Sequence, residues 1–271
     1  DATALQDAPP VVAFTTVALG GLRGIIADIL WIRAARLQMD GRYFELVQLA
    51  DWITQLEPQI SEVWSFNAWN LAYNVSIFFP RPEDRWRWVQ NGLALLRDRG
   101  LLHNPDDPEL YFELGWLFQH KIGSNMDSAH LYYKAAWSNE MQALFNGPRP
   151  DDETPVDSLA PYRLDLERLR ALEQRCGPLD WRTSSAHALY WAHQGLEKAV
   201  QPSDRLRLLR MIYQSLGDAF LGDTPDTPRF EFLPALLAAH QQAWAEFPRN
   251  IPVRDAYRNF LLAAARLARQ N

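Results

Sequence analysis

Asn67, Asn70 and Asn74 stand three and four residues apart in Trp64-Ser65-Phe66-Asn67-Ala68-Trp69-Asn70-Leu71-Ala72-Tyr73-Asn74, a spacing that puts the three amides on one helix face. Asparagine is a poor helix-interior residue because its amide competes for backbone hydrogen bonds, so a row of them among aromatics needs a use. Two uses fit: an amide ladder tying neighbouring helices together, or a set of donors and acceptors that reads a ligand's backbone. A second polar group, His120-Lys121-Ile122-Gly123, ends an apolar segment. Basic side chains there complement a helix C-terminal dipole, and Gly123 suits a left-handed cap. His130 can approach His120 across a helix pair, but two histidines without a third ligand do not make a zinc site. A third group holds Asp180, Arg182, His187, Tyr190, Trp191 and His193. His187 and Trp191 share a face at i, i+4, whereas His193 points elsewhere, so the group reads as structural.

The missing chemistry is as informative. No HExxH, GxSxG, P-loop or GxGxxG occurs, and Cys176 is the single cysteine, so no intrachain disulfide or thiolate cluster can form. The carboxylate pairs Asp106-Asp107 and Asp151-Asp152 sit near prolines and read as turn chemistry. Nothing joins a nucleophile to a base. The expectation is therefore a protein without catalytic residues, metal or cofactor. A formal charge of −6 over 271 residues argues against a nucleic-acid partner. The arginines of 163–175 and 203–210 alternate with Asp and Glu, which reads as solvated helix faces.

These residues need helices to hold them. Nearly every segment between Pro- and Asp-rich breaks carries an apolar three-four period, and none alternates as a strand, which predicts an all-α chain of about eleven helices. Expected pairs are 23–39 with 43–56, 62–78 with 83–98, and 108–121 with 126–145. Residues 146–157 read as a linker loop. Helices follow near 158–175, 182–199, 203–221, 229–246 and 252–269, with Asp180 or Thr183 capping the second of these and Ser203 the third. The domain reading is an N-terminal arm at 1–22, repeats at 23–145, the linker, and degenerate repeats at 158–271. The uncharged run 11–22 is too short to span a bilayer; it reads as a docked first helix or arm, or as a juxtamembrane or partner-binding segment. The start at Asp1 raises the expectation of a removed signal, anchor or other upstream piece.

Tyr111-Phe112-Glu113-Leu114-Gly115-Trp116-Leu117-Phe118, followed by Ala129, Tyr133 and Ala136, resembles a tetratricopeptide repeat (TPR). The turn Asp40-Gly41-Arg42-Tyr43 and the stop Leu56-Glu57-Pro58 form a second match. The resemblance implies an α-solenoid of antiparallel helix pairs in a right-handed superhelix, with a concave partner-binding face. It places Asp28, Trp31, Ala35 and Met39, then Glu62, Ser65, Trp69, Ala72 and Tyr73, then Glu109, Phe112, Trp116, Gln119 and His120 on that face. Repeats that clamp a peptide carboxylate carry Lys, Asn and Arg there; here Trp31, Ala35, Ser65 and Trp69 take those places.

The implied groove is aromatic, built on Trp31, Trp69, Tyr73, Phe112 and Trp116 with Asn67, Asn70, Asn74 and His120 beside it. It suits an apolar peptide, an amphipathic helix, or part of the chain itself. More loosely, Gly41-Arg42-Tyr43-Phe44-Glu45-Leu46-Val47-Gln48 and His120-Lys121-Ile122-Gly123 resemble a group of membrane-anchored bacterial envelope proteins. That implies a periplasmic location, with the cytoplasm as the alternative. The rival expectation is a small-molecule receptor or enzyme with a polar pocket around Asn67, Asn70, Trp116 and His120.

Overall fold

The computed structural model of the chain describes residues 23–151, 154–222 and 228–270, and every regular element among them is helical. The arm 1–22 lies outside the described residues. No helix among those described is long and apolar enough to cross a membrane. The chain divides into two compact units at Asp106/Asp107, so the expected linker 146–157 falls inside the second.

The first unit begins with α1 (Arg23–Met39) and α2 (Tyr43–Leu56), whose bounds match the expected pair. Gly41 turns the chain between them at φ 70°, a left-handed conformation that needs no Cβ. Ala34, Leu37, Leu46, Leu49, Ile53 and Val63 form the core there, with Trp31 and Phe66 packed at its edge. The third helix, α3 (Ser61–Trp69), does not run on unbroken to residue 78. It passes into a π-helical stretch at Asn70–Val75 and a 3₁₀ turn at Ser76–Phe78. The fourth, α4 (Pro82–Ala94), likewise gives way to a π-helical stretch at Leu95–Gly100. The break after α2 is fastened at one carbonyl: Trp64 Nε1 and Asn104 Nδ2 both donate to Pro58 O, at 2.9 and 2.8 Å.

The second unit comprises α5 (Pro108–Trp116, then π-helical at Leu117–Ile122), α6 (His130–Phe145), α7 (Leu166–Cys176), α8 (Ser184–Lys198), α9 (Pro202–Leu221), α10 (Leu233–Glu246) and α11 (Ile251–Gln270). Asp107 caps α5 and Asp165 caps α7 through their side chains. The neighbour that packs most extensively along α5 is α8, not α6, which approaches α5 mainly at its π-helical end. Small residues permit the approach. A Cβ on Gly195 would stand 2.8 Å from Tyr111 Cβ, and one on Gly115 would stand 3.3 Å from Ala188 O and 2.4 Å from Met211 Sδ. The Leu-Gly pair that marked α5 in the sequence is thus a helix-crossing point.

Three local expectations need correction. Gly123 is not a left-handed cap, because its φ is −79°; a side chain there would meet Ser184 Oγ at 2.6 Å and Gln119 O at 2.7 Å. Ser203 is not the cap of α9, which already begins at Pro202 after Gln201. Thr183 holds the N-cap position of α8 without a capping side-chain bond; its hydroxyl donates to Asp180 O at 2.7 Å.

Candidate functional site

The expected groove residues divide between the units. In the first, Trp31 sits edge-on to Phe66 at 5.2 Å between ring centroids, and Trp69 stacks on Tyr73 at 5.4 Å. Trp69 keeps 38% of its surface exposed, so it is not spent on the core. The asparagine row is part ladder: Asn74 Nδ2 donates to Asn70 Oδ1 at 2.9 Å. Asn67 and Asn70 are buried, yet Asn67 Oδ1 and Asn70 Nδ2 find no hydrogen-bond partner among the described residues. The π-helical stretch starts at Asn70, where the sequence spacing assumed a continuous α-helix.

In the second unit Phe112, Trp116, Gln119 and His120 line a groove of about 1400 Å³. Phe112, Trp116 and His120 follow one another at four-residue spacing, and their rings form a column along α5 and its π-helical continuation. Phe112 and Trp116 lie 6.1 Å apart at 17°, and Trp116 and His120 4.6 Å apart at 9°. The Arg207 guanidinium, 4.6 Å from the Phe112 centroid, covers the end of the column. Trp116 therefore lies between the other two rings of the column. Gln119 is pinned across to α9, donating from Nε2 to Ser215 Oγ at 3.0 Å.

The facing walls are basic, which the sequence reading missed. Lys134 comes from α6, Arg182 from the entry to α8, and Arg207 and Arg210 from α9. Arg182 grips Asp180 through Nε and Nη2, at 2.9 and 2.8 Å, and reaches Gln142 Oε1 at 2.9 Å. Burial alone would raise the Asp180 carboxyl, but the Arg182 hydrogen bonds outweigh it and hold the group below its ordinary value. Arg207 pairs with Glu109 and Asp204. Burial, reinforced by Glu109 and partly offset by Arg207, pushes the Glu113 carboxyl up to about 7. Asp218 is open to water but recessed among protein atoms, and this burial raises its carboxyl against the pull of Lys134. Burial, then the charge of Lys121, lowers the His120 imidazole.

The remaining polar clusters hold the frame. Lys121 does not serve its helix terminus; it is buried, with Nζ 2.6 Å from Asp127 Oδ2, and Asp127 Oδ1 also accepts from Ala129 N at 2.9 Å. That pair fixes the long turn between α5 and α6. His187 Nε2 donates to Trp181 O at 2.7 Å among the rings of Phe118, Trp137 and Trp181, and burial pushes its imidazole down to about 4. Cys176 Sγ and His193 Nε2 stand 3.9 Å apart, but burial drives the thiol up to about 11 and the imidazole down to about 3. Both are neutral at pH 7, so they are not a thiolate–imidazolium pair. No group of three or more metal-ligating side chains converges among the described residues.

In comparison with known proteins, no family model matches the chain, and neither a curated protein nor a solved structure matches it. The functional argument therefore rests on the groove itself.

Proposed function

We propose that the chain is a non-enzymatic, TPR-like α-solenoid scaffold that holds a protein partner, an apolar peptide or amphipathic helix, in the aromatic groove of its second unit. The observation that carries this reading is the half-buried column Phe112–Trp116–His120, which lines one wall of a groove of about 1400 Å³. Large, rigid side chains held by mutual stacking give up little conformational entropy on binding, which is what an anchor for a partner's apolar side chains requires. Support for the repeat architecture comes from the Gly41 turn between α1 and α2 and from the Leu114-Gly115 crossing on α5. The exposed Trp69–Tyr73 stack offers the first unit a surface of the same kind. The envelope placement, with a membrane anchor upstream of the described residues, belongs to the same proposal and rests on the resemblance alone.

The test is a pull-down from the source cell's envelope fraction with wild type and Trp69→Ala/Trp116→Ala chains of matched thermal stability. The account expects a partner retained by the wild type to be lost from the variant. Equal recovery by two equally folded chains would show that the aromatic residues are not the binding surface.

A further inference from the structure

We infer that the occupant of the second unit's groove is an acidic amphipathic peptide, its apolar side chains set against the ring column and its carboxylates against the arginine wall. This rests on the groove reading above and names the chemistry of the partner. Charge is the first argument. The side chains lining the groove include Lys134, Arg182, Arg207, Arg210 and Arg229, against Asp180 and Asp218 as the lining carboxylates. This basic wall belongs to a chain whose formal net charge is −6. The carboxylates that pair with Arg207 and Arg229, namely Glu109, Asp204 and Glu231, do not line the groove. A guanidinium carries five N–H donors, more than these pairs use. Arg210 is exposed and has no carboxylate partner among the described residues, and Lys134 bonds the neutral Asn125 Oδ1 at 2.9 Å. Arg210 is therefore open to an incoming carboxylate, whereas Lys134 already shares the charge of Asp218.

The second argument is the orientation of the rings. A nucleic acid would also bring negative charge, but sequence-tolerant binding of its bases needs open aromatic faces. Here Trp116 stands between Phe112 and His120, with the His120 ring nearly parallel to it at 4.6 Å, and Arg207 lies over Phe112. The lining also includes Ile122, Leu131 and Met211, an apolar contribution that suits Leu, Ile or Phe side chains. The groove's volume also exceeds what a drug-sized ligand fills, and it accommodates a few turns of helix or a short extended segment.

The experiment pans a random twelve-residue peptide library displayed on phage over the full chain. Enriched peptides are then titrated by fluorescence anisotropy against wild type, Trp116→Ala, Trp116→Leu and Lys134→Glu/Arg210→Glu, each checked for unchanged melting. The expected pool is enriched in Asp and Glu alternating with Leu, Ile or Phe at helical spacing. Its members should lose at least about tenfold in affinity on charge reversal and on either Trp116 change, and should weaken with added salt. A pool no more acidic than the unselected library, or an empty one, overturns the inference. Neutral peptides that ignore the charge reversal but need Trp116 leave the groove reading standing without its acidic partner. Peptides indifferent to every variant overturn both.

Discussion

At the scale of single residues, the chain buries several titratable groups in structural positions, and two of them make stability depend on pH. Glu113 is the clearest. Its carboxyl, ordinarily near 4.5, is raised to about 7 chiefly by burial. The folded state thus holds a proton there that the unfolded chain has released, and stability falls as pH rises from about 4.5 through about 7. His187 acts in the other direction: with its folded pKa lowered to about 4, its contribution is whole above about 6.5 and is lost as pH falls towards 4. Urea unfolding should therefore find Glu113→Gln gaining on the wild type as pH rises from about 4.5 to about 7, with the difference between the two chains constant below that window. A difference between the two that stays constant with pH would remove Glu113 from the account. Some of this was legible in the sequence. Phe112, Trp116, Gln119 and His120 were assigned to a concave face and do share a groove. Arg207 and Arg210 were read as a solvated helix face, because their wall function depends on α9 lying opposite a segment some ninety residues earlier, and no local spacing carries that.

At the scale of the helices, the existence and type of the elements follow from three-four periodicity and from Pro and Gly punctuation, and α1 and α2 fall where the sequence put them. What periodicity cannot carry is the π-helical continuation of α3, α4 and α5, since the extra residue per turn leaves the pattern of residue types intact while rotating everything after it. The partner of α5 was also hidden. The sequence paired it with its chain neighbour α6, whereas Gly115 and Gly195 allow α8 to pack most extensively along it. Ala188 and Ala192 had hinted at this close packing without saying against what. The glycines give a paired test. Gly195→Ala drives a methyl to 2.8 Å from Tyr111 Cβ, which is fixed to the backbone, and 3.0 Å from Leu208 Cδ2, so it should cost about 1–3 kcal/mol. Gly217 lies within α9 with nothing within 4 Å of a new Cβ, and Gly217→Ala should instead stabilise by roughly 0.5–1 kcal/mol. Thermal or denaturant unfolding of the two variants measures both. Equal effects from both substitutions would mean that the α5–α8 crossing is looser than described.

At the scale of the whole molecule, two helical units each present partly exposed aromatics that the core does not consume: Trp69 with Tyr73 in one, and the Phe112–Trp116–His120 column in the other. Trp64 and Trp181 are buried almost completely, whereas Trp69 is 38% exposed and Trp116 half-buried in the groove, so the same residue type stands both in the core and at the surface. The central claim is that the second unit's groove, rather than the surface at large, holds the partner. Photo-crosslinking tests it most directly, with a benzophenone amino acid placed in living cells at Gln214, which is exposed and lines the groove, or at Val200, which is 84% exposed and does not line it. The account predicts a discrete cross-linked partner from position 214, absent from position 200 and lost when Trp116→Leu is added. The same cross-link from both positions, or one from 214 that survives the loss of the Trp116 ring, would contradict it.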